Sequence, residues 1–277
     1  MDDLIESKLL SGLKAQSSPI LLIKYGPPAS GKGSCMNMLT KAIQGMGFEF
    51  NNYLDANLDN VVTMLDVKNT VKMDPSNYHQ FVPNAGKIID SVMATAFGKK
   101  YNISFETTGR NVNQEWYKTR IFTLADEHGF RIVIMYPLVP KNTLVERSEA
   151  RALKIGRRPD PNIIRRVADQ SARNLGDIHK LMRKTDKIII YDNRDNPPCG
   201  HVVLECDGDK CTPNLEWVIN KAIYDLFDVQ LTVGGSDTMV RLVSVGIILA
   251  LIVIIIIVSF LVWKYFHRNA TIAEQVY

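Results

Sequence analysis

The stretch Gly-Pro-Pro-Ala-Ser-Gly-Lys-Gly-Ser at residues 26–34 decides the fold class of this chain. It follows the apolar run Ile20–Ile23 and precedes a segment whose apolar residues have helical spacing. A strand, a glycine-bearing loop and a helix in this order, with Gly26, Gly31 and Lys32 at the required spacing, predict a phosphate-binding loop. Glycines let backbone amides surround a phosphate, the helix N-terminus adds positive potential, and the lysine reaches the β- and γ-phosphates. The chain is therefore expected to bind a nucleotide.

The same loop predicts which residues hold the nucleotide and its metal ion. Gly33 stands where this motif usually has the Ser or Thr that binds magnesium. Ser34 follows directly, and we expect it to replace that residue as the metal ligand. ATP and Mg²⁺ are thus the expected cofactors. The expected cofactor-binding residues are Gly26, Ser30, Gly31, Lys32, Gly33 and Ser34.

Composition narrows the remaining possibilities. The chain has 277 residues, of which 46% are hydrophobic, and this is enough to bury a core. A net charge of +4 is too small to indicate a nucleic-acid partner, but it is compatible with an acidic ligand such as a nucleotide. The acidic start Met1-Asp2-Asp3 does not resemble a secretory signal. The four cysteines are therefore expected to be free thiols in a reducing compartment.

The C-terminal residues predict a membrane anchor. Leu242 to Trp263 are 22 consecutive uncharged residues, which at about 1.5 Å per residue span the ~30 Å hydrocarbon core of a bilayer. The predicted organisation is a nucleotide-binding domain at 1–228, a linker at 229–240, a transmembrane helix at 241–263 and a short tail at 264–277. Because ATP chemistry requires a cytosolic domain, we expect a single-pass, tail-anchored membrane protein.

Alternating polar residues follow the phosphate loop in the chain. Asp55, Asn57 and Asp59 share one face of a segment from Phe48 to Leu58 that is expected to be extended. If the sheet is parallel, the end of this strand lies beside the phosphate loop. A carboxylate there can bind magnesium or accept a proton from a substrate hydroxyl. The alternative is a solvated edge strand.

A second polar cluster follows the short predicted strand 103–105. This strand runs into Glu106, Thr108 and Arg110. Ligands of open α/β sheets bind outside the carboxyl ends of the strands, so these three side chains should converge on the crevice of Lys32. An acid, a hydroxyl and a guanidinium together can bind a polar substrate. A simple turn is the alternative.

Basic residues are concentrated around a predicted loop at 154–161 between helices at 141–153 and 162–184. They are Arg147, Arg151, Lys154, Arg157, Arg158, Arg165 and Arg166. We interpret this segment as a cationic lid that closes over ATP and neutralises charge on the transferred phosphoryl group. The alternative is a solvated helix pair with acidic partners nearby.

The remaining patterns complete an α/β fold. Strands are predicted at 131–137, 187–193 and, at an edge, 201–206, and helices at 85–99, 112–127 and 214–228. The polar segment 60–84 is expected to be irregular. Strands and helices that alternate after a phosphate loop predict a doubly wound parallel sheet of the P-loop kinase type, with one C-terminal transmembrane helix.

These motifs together resemble the zeta toxin family of kinases. The shared features are the phosphate loop, Ile103 to Arg110, Tyr136-Pro-Leu-Val-Pro140 before a helix, the arginine-rich segment, and Asn174-Leu175 ahead of Tyr191-Asp192-Asn193. The phosphate loop is common to many kinases, whereas a strand that ends Glu-x-Thr-Gly-Arg at this distance is far more specific. The resemblance covers residues 17–195.

The resemblance implies a reaction and assigns roles to residues. Members of the family transfer the γ-phosphoryl group of ATP to a sugar hydroxyl, best known in UDP-N-acetylglucosamine. The implied roles are ATP and magnesium binding for Lys32 and Ser34, acceptor binding for Glu106, Thr108 and Arg110, and lid contacts over the phosphates for Arg157 or Arg158.

The resemblance also implies a general base. In the family this base is an aspartate just past the second strand, in an Asp-x-Asp arrangement. Alignment on Asp55 puts Asn57 at the base position, and alignment on Asp59 puts Val61 there. Asp59 is the preferred base and Asp55 is the reserve. The departure from the family pattern bears on catalysis more than on nucleotide binding.

The expected function is a membrane-tethered, ATP-dependent phosphotransferase that acts on a hydroxyl of a small acceptor such as a nucleotide sugar. Gly33-Ser34 also resembles the loop of adenylate kinases, which leaves a nucleotide or polynucleotide-end kinase open. A catalytically silent ATP-binding membrane adaptor is the third possibility. The sequence identifies no antitoxin-like partner.

Overall fold

The computed structural model describes residues 1–33, 40, 43–110, 115, 118–155, 160–194, 202–208 and 210–213. Several predicted features lie outside the described residues. They are the metal ligand Ser34, the lid arginines Arg157 and Arg158, the helix 214–228, and the linker, membrane helix and tail at 229–277. The domain boundaries drawn from the sequence thus stay predictions.

The described strands form one seven-stranded sheet in the order β2-β3-β1-β4-β5-β6-β7. Their bounds are β1 Ile20–Tyr25, β2 Tyr53–Ala56, β3 Asn102–Thr107, β4 Arg131–Leu138, β5 Lys187–Asp192, β6 Val202–Asp207 and β7 Lys210–Pro213. The first five strands in this order are parallel, and β6 and β7 are antiparallel additions. The predicted α/β fold is confirmed, and the sheet is mostly rather than wholly parallel.

The described helices and helical turns connect these strands. Their bounds are α1 Asp2–Leu10, α2 Leu58–Leu65, α3 Thr70–Met73, α4 Tyr78–Gly98, α5 Thr123–Glu127, α6 Lys141–Ile155 and α7 Pro161–His179, with a 3₁₀ turn at Pro75–Asn77 and a π-helical turn at Lys118–Phe122. The sheet thus places the carboxyl end of the buried strand β1, where the phosphate loop begins, between the ends of β3 and β4.

Strand β1 is buried along its whole length because both faces of the sheet are covered. On one face, Leu21, Ile23 and Tyr25 pack with apolar residues of α2, α4 and α7. On the other face, Ile20 and Leu22 belong to a smaller cluster that includes residues between 43 and 48. The near-continuous apolar pattern of this strand follows from that position.

The segment 60–84 is helical where the sequence led us to expect irregular structure. Helix α2 begins after Asn57, whose side-chain oxygen accepts hydrogen bonds from the backbone amides of Asp59 (2.9 Å) and Asn60 (3.3 Å). Its short apolar face buries Val61, Val62 and Leu65. A short capped helix of this kind is difficult to recognise in the sequence, because polar residues surround its few apolar positions. The preceding strand is correspondingly shorter than the extended segment that we expected.

Helix α7 ends at His179, five residues before the predicted end. The buried carboxylate of Asp186 accepts hydrogen bonds from the backbone amides of Arg183 and Ile132, each at 2.9 Å. These bonds turn the chain from the helix into β5. Because the carboxylate also accepts from the Arg183 side chain at 2.8 and 2.9 Å, the pKa of Arg183 is raised. These contacts hold the turn that follows the helix.

The antiparallel strands β6 and β7 bear on the expectation that the cysteines are free thiols. Cys206 in β6 is buried and disulfide-bonded. The residue opposite Cys206 across the β6–β7 ladder is Cys211. The expectation of free thiols is therefore wrong for Cys206. Strand β6, predicted as the edge of the sheet, is instead covered by β7.

Within the described part of the chain, no helix is both long enough and apolar enough to cross a membrane. The predicted anchor at 241–263 lies outside that part.

Candidate active site

The phosphate loop at the carboxyl end of β1 places the Lys32 side chain inside the protein. Lys32 is only 7% exposed, and its ammonium donates hydrogen bonds to the carbonyls of Gly26 (3.0 Å) and Pro27 (3.1 Å). Gly26 itself is tied to β3 by a hydrogen bond from its amide to Thr107 O at 3.1 Å. A buried ammonium needs such partners because its desolvation is costly. The loop therefore supplies them from its own backbone.

Charged side chains from several elements surround this ammonium. The Glu106 carboxylate lies 3.8 Å from Lys32 Nζ. Burial lowers the pKa of Lys32, whereas the charges of Glu106 and Asp59 act to raise it and that of Arg151 acts to lower it. The fold thus brings three side chains within electrostatic reach of the loop lysine. They are the predicted site residues Glu106 and Asp59, and Arg151 of helix α6.

Asn193 fastens the phosphate loop from the opposite side of β1. Its amide nitrogen donates to the carbonyl of Ser30 at 2.7 Å, and its backbone amide donates to Leu138 O at 3.0 Å. The side chain lies so close to Gly31 that a Cβ there would overlap it, and Gly31 also has a φ of +80°. Glycine is required at this position for both reasons. Asn193 follows β5 and was not among our predicted site residues.

Asn57 joins the start of α2 to the loop lysine. Its amide nitrogen donates to Glu106 Oε2 at 3.1 Å, while its side-chain oxygen caps the helix. Glu106 thereby bridges Asn57 and Lys32. Asn57 stands where one alignment placed the base, and an amide cannot accept a proton as a carboxylate does. Its observed role in the structure is to hold Glu106 and the helix cap together.

The two candidate aspartates have different surroundings. Asp55 Oδ1 is 3.3 Å from Lys24 Nζ, and its Oδ2 accepts a hydrogen bond from the Asn60 side chain at 2.8 Å. Asp59 is exposed in the first turn of α2, where its Oδ1 accepts a 2.5 Å hydrogen bond from the Tyr78 hydroxyl. Asp55 is therefore occupied by a largely buried lysine, whereas Asp59 faces the surface near Lys32.

The turn after β3 is held by helix α7. The Ser171 hydroxyl donates to Thr108 O, and the Asn174 amide donates to Gly109 O at 2.5 Å. The Tyr25 hydroxyl donates to Ser171 O at 3.0 Å. Only the backbone carbonyls of Thr108 and Gly109 accept hydrogen bonds in this clamp.

Arg110, the last residue of the predicted acceptor cluster, is exposed. It makes no hydrogen bond or ion pair to another residue in the described part of the chain. The structure thus brings Glu106 to Lys32 but leaves Arg110 on the surface.

Helix α6 connects to the loop through the segment that follows β5. The Arg147 guanidinium donates to Arg194 O at 3.2 Å, and Arg194 forms a bidentate pair with Asp192 at 2.8 to 3.0 Å. The neighbouring Asn193 holds the phosphate loop. A short chain segment therefore contacts both the basic helix and the loop.

Three of these residues carry signals that the sequence contains but that we did not assign. Asn57 precedes a short apolar run, which is a helix-cap signal. Asn174 and Asn193 lie in motifs quoted for the family resemblance, yet they act through backbone carbonyls that are distant in sequence. Such partners follow only from the packed fold.

The arrangement can perform phosphate chemistry. A buried cation on a glycine loop can bind the phosphates of a nucleotide, and Asp59 is a carboxylate within electrostatic reach that can accept a proton. The hydroxyl of Ser30 is fully buried and has no hydrogen-bond partner among the described residues. A phosphate oxygen on the loop would satisfy it.

A family model described as Zeta toxin matches residues 6–197, which is more than half of the chain. A search of curated protein sequences finds no match.

Comparison with solved structures shows similar folds. A structure from the PezAT chromosomal toxin–antitoxin system of Streptococcus pneumoniae is 17% identical and covers 72% of this chain and 77% of that chain, with a TM-score of 0.47. A crystal structure of AvrRxo1-ORF1:-ORF2 with ATP is 14% identical and covers 85% of this chain and 70% of that chain, with a TM-score of 0.53. At these identities the likeness concerns the fold.

The clamp at Gly109 gives a test of the site's construction. A Cβ at this residue would overlap the Tyr25 hydroxyl, and its φ of +68° strains any other L-residue. We expect Gly109→Ala to lower the free energy of unfolding by about 2 kcal/mol, measured by urea denaturation. Gly86→Ala, in α4 with open space around it, is the control and should be stabilising by about 0.5 kcal/mol. Equal effects of both variants would contradict the clamp.

Proposed function

This chain belongs to the zeta toxin family, and we propose that it is an ATP-dependent phosphotransferase that moves the γ-phosphoryl group of ATP to a hydroxyl of a small acceptor. The proposal is supported chiefly by the buried Lys32 ammonium, which lies on the loop with Glu106 at 3.8 Å and Asp59 in electrostatic reach. Catalysis of this reaction consists mainly of positioning and charge stabilisation, and those are what this arrangement offers.

The chain's own residues account for nucleotide binding. The proposed phosphate-binding loop consists of Gly26, Ser30, Gly31, Lys32 and Gly33. The Ser30 hydroxyl, which has no hydrogen-bond partner among the described residues, and the Lys32 ammonium are suited to phosphate oxygens. Ser34 is the proposed ligand of Mg²⁺. Bound ATP supplies the phosphoryl group, and the metal ion neutralises part of its charge.

Proton transfer is assigned to Asp59. Its carboxylate takes the proton of the acceptor hydroxyl while the hydroxyl oxygen forms a bond to the γ-phosphorus and the bond to the β–γ bridging oxygen breaks, which releases ADP. Asp55 is a poor alternative because its two oxygens already hold Lys24 and Asn60. Arg157 or Arg158 would stabilise the charge on the phosphoryl group, together with Arg151 of α6.

The attacking group is proposed to be a neutral hydroxyl on an acceptor such as a nucleotide sugar. The Glu106 carboxylate lies 3.8 Å from Lys32 Nζ, and that of Asp59 is within electrostatic reach of it. A phosphate monoester as the attacking group would be repelled there, whereas a sugar hydroxyl can donate hydrogen bonds to them. Thr108 and Arg110 would contact other parts of the acceptor.

Replacement of the loop lysine tests nucleotide binding. We expect Lys32→Ala to lower ATP turnover at least about 100-fold, because the cation on the phosphates is lost. Its melting temperature should not fall, since burial lowers the pKa of Lys32 and the charged form therefore costs folding free energy. ATP binding by calorimetry and a thermal melt measure the two effects. Lys68→Ala, on the surface, is the control. Unchanged ATP binding by Lys32→Ala would refute the loop assignment.

Two aspartate variants test the assignment of the base. Asp59→Asn should reduce kcat about 100-fold with a panel of nucleotide sugars while ATP binding is retained. Asp55→Asn should instead lower the melting temperature, because it leaves the largely buried Lys24 without its carboxylate. The reverse pattern would make Asp55 the base. Transfer only to nucleoside monophosphates or 5′-hydroxyls would favour the adenylate-kinase-like alternative.

We also propose that residues 241–263 anchor the domain in a membrane as a single C-terminal helix. The proposal is supported by the 22 uncharged residues from Leu242 to Trp263. A catalytic domain that uses ATP would then face the cytosol, and the tail after the helix would lie on the far side.

Protease protection of an epitope tag placed after Tyr277 measures this topology. In sealed membrane vesicles with the cytosolic face outward, the tag should resist protease while the large domain is digested. In a control with detergent, protease should digest both the tag and the large domain. A tag that is digested without detergent would contradict the proposed orientation, and a chain that stays in the supernatant would contradict the anchor.

A further inference from the structure

We infer that Tyr78 is a positioning residue for phosphoryl transfer, because its hydroxyl holds one oxygen of the Asp59 carboxylate and leaves the other for the acceptor. The inference rests on the proposed function. It concerns a residue in the segment 60–84, which the sequence alone did not connect with the site.

Asp59 needs a partner of this kind because its carboxylate is exposed. The backbone beneath it is already held, since Asn57 caps α2 and binds Glu106, and Asn60 donates to Asp55. These bonds place the Cα of Asp59, but they do not determine its side-chain rotamer. An exposed carboxylate that must receive a proton therefore requires a separate contact.

The Tyr78 hydroxyl supplies that contact. It donates to Asp59 Oδ1 at 2.5 Å, a short distance typical of a hydroxyl on a carboxylate. No other residue in the described part of the chain donates to Oδ2 of Asp59. That oxygen is the one available to the acceptor hydroxyl.

Tyr78 is itself well placed by the fold. It is the first residue of α4, and its ring packs against the main core. The turn before it is held by Asp74, which accepts from the Ser76 amide at 2.9 Å, and by Asn77, which donates to Thr70 O at 3.3 Å. A core-anchored ring on a braced turn can hold a surface carboxylate with little loss of entropy.

The test is Tyr78→Phe in the full chain, with Tyr101→Phe as the matched control. Tyr101 is also partly buried against the main core but precedes the amino end of β3, at the opposite edge of the sheet. We expect Tyr78→Phe to lower kcat about 10-fold with an unchanged KM for ATP. Tyr101→Phe should change neither kcat nor KM.

The double variant separates positioning from a general effect on the fold. In an Asp59→Asn background, Tyr78→Phe should have no further effect on kcat, because the carboxylate that it serves is gone. An undiminished effect in that background, or an unchanged kcat in Tyr78→Phe alone, would overturn the inference.

Crystal structures distinguish this inference from the proposed function, because they need no turnover. In the wild-type chain the Asp59 carboxylate should occupy one rotamer, with Oδ1 on the Tyr78 hydroxyl, and in Tyr78→Phe it should occupy several. An unchanged single rotamer in the variant overturns the inference. If the wild-type chain turns over no ATP with any acceptor, the proposed function fails, whereas the structures still decide whether Tyr78 holds Asp59.

Discussion

A single buried ammonium organises this protein. Lys32 is carried on a loop between a fully buried strand and the following segment, and its charge is balanced by the carbonyls of Gly26 and Pro27 and by Glu106. A buried charge needs compensation, and two carbonyls of the loop and the Glu106 carboxylate provide it here. The order of the sheet achieves this, because β3 lies beside β1 and its end brings Glu106 to the lysine.

Amide side chains connect the elements that surround this lysine. Asn57 connects Glu106 to the cap of α2, Asn174 holds the turn after β3, and Asn193 holds the loop from β5. An amide has both a donor and an acceptor and no charge, so it can join backbone groups without adding to the charge at the site. These amides therefore connect the elements without adding an ionisable group near Lys32. Helix α6 contacts Arg194, whose neighbour Asn193 holds the loop.

Much of the fold could be predicted from the sequence, because it follows from local periodicity. The apolar strands β1, β4 and β5 and the phosphate loop were all expected, and so was the approach of Glu106 to Lys32. Prediction failed where local signals were short or were overridden. Helix α2 has one capped apolar face between polar residues, and α7 ends at His179, before its predicted end. Cys206 was expected to be a thiol but is disulfide-bonded.

The sequence by itself determined that a phosphate loop opens an α/β domain, since glycine spacing, a lysine and an apolar strand suffice for that. Tertiary structure alone decided what each candidate aspartate contacts. Asp55 and Asp59 are chemically equal and four residues apart, but one side chain meets Lys24 and the other meets Tyr78. Those partners come from strands and helices distant in the chain, and only the packing of the sheet brings them together.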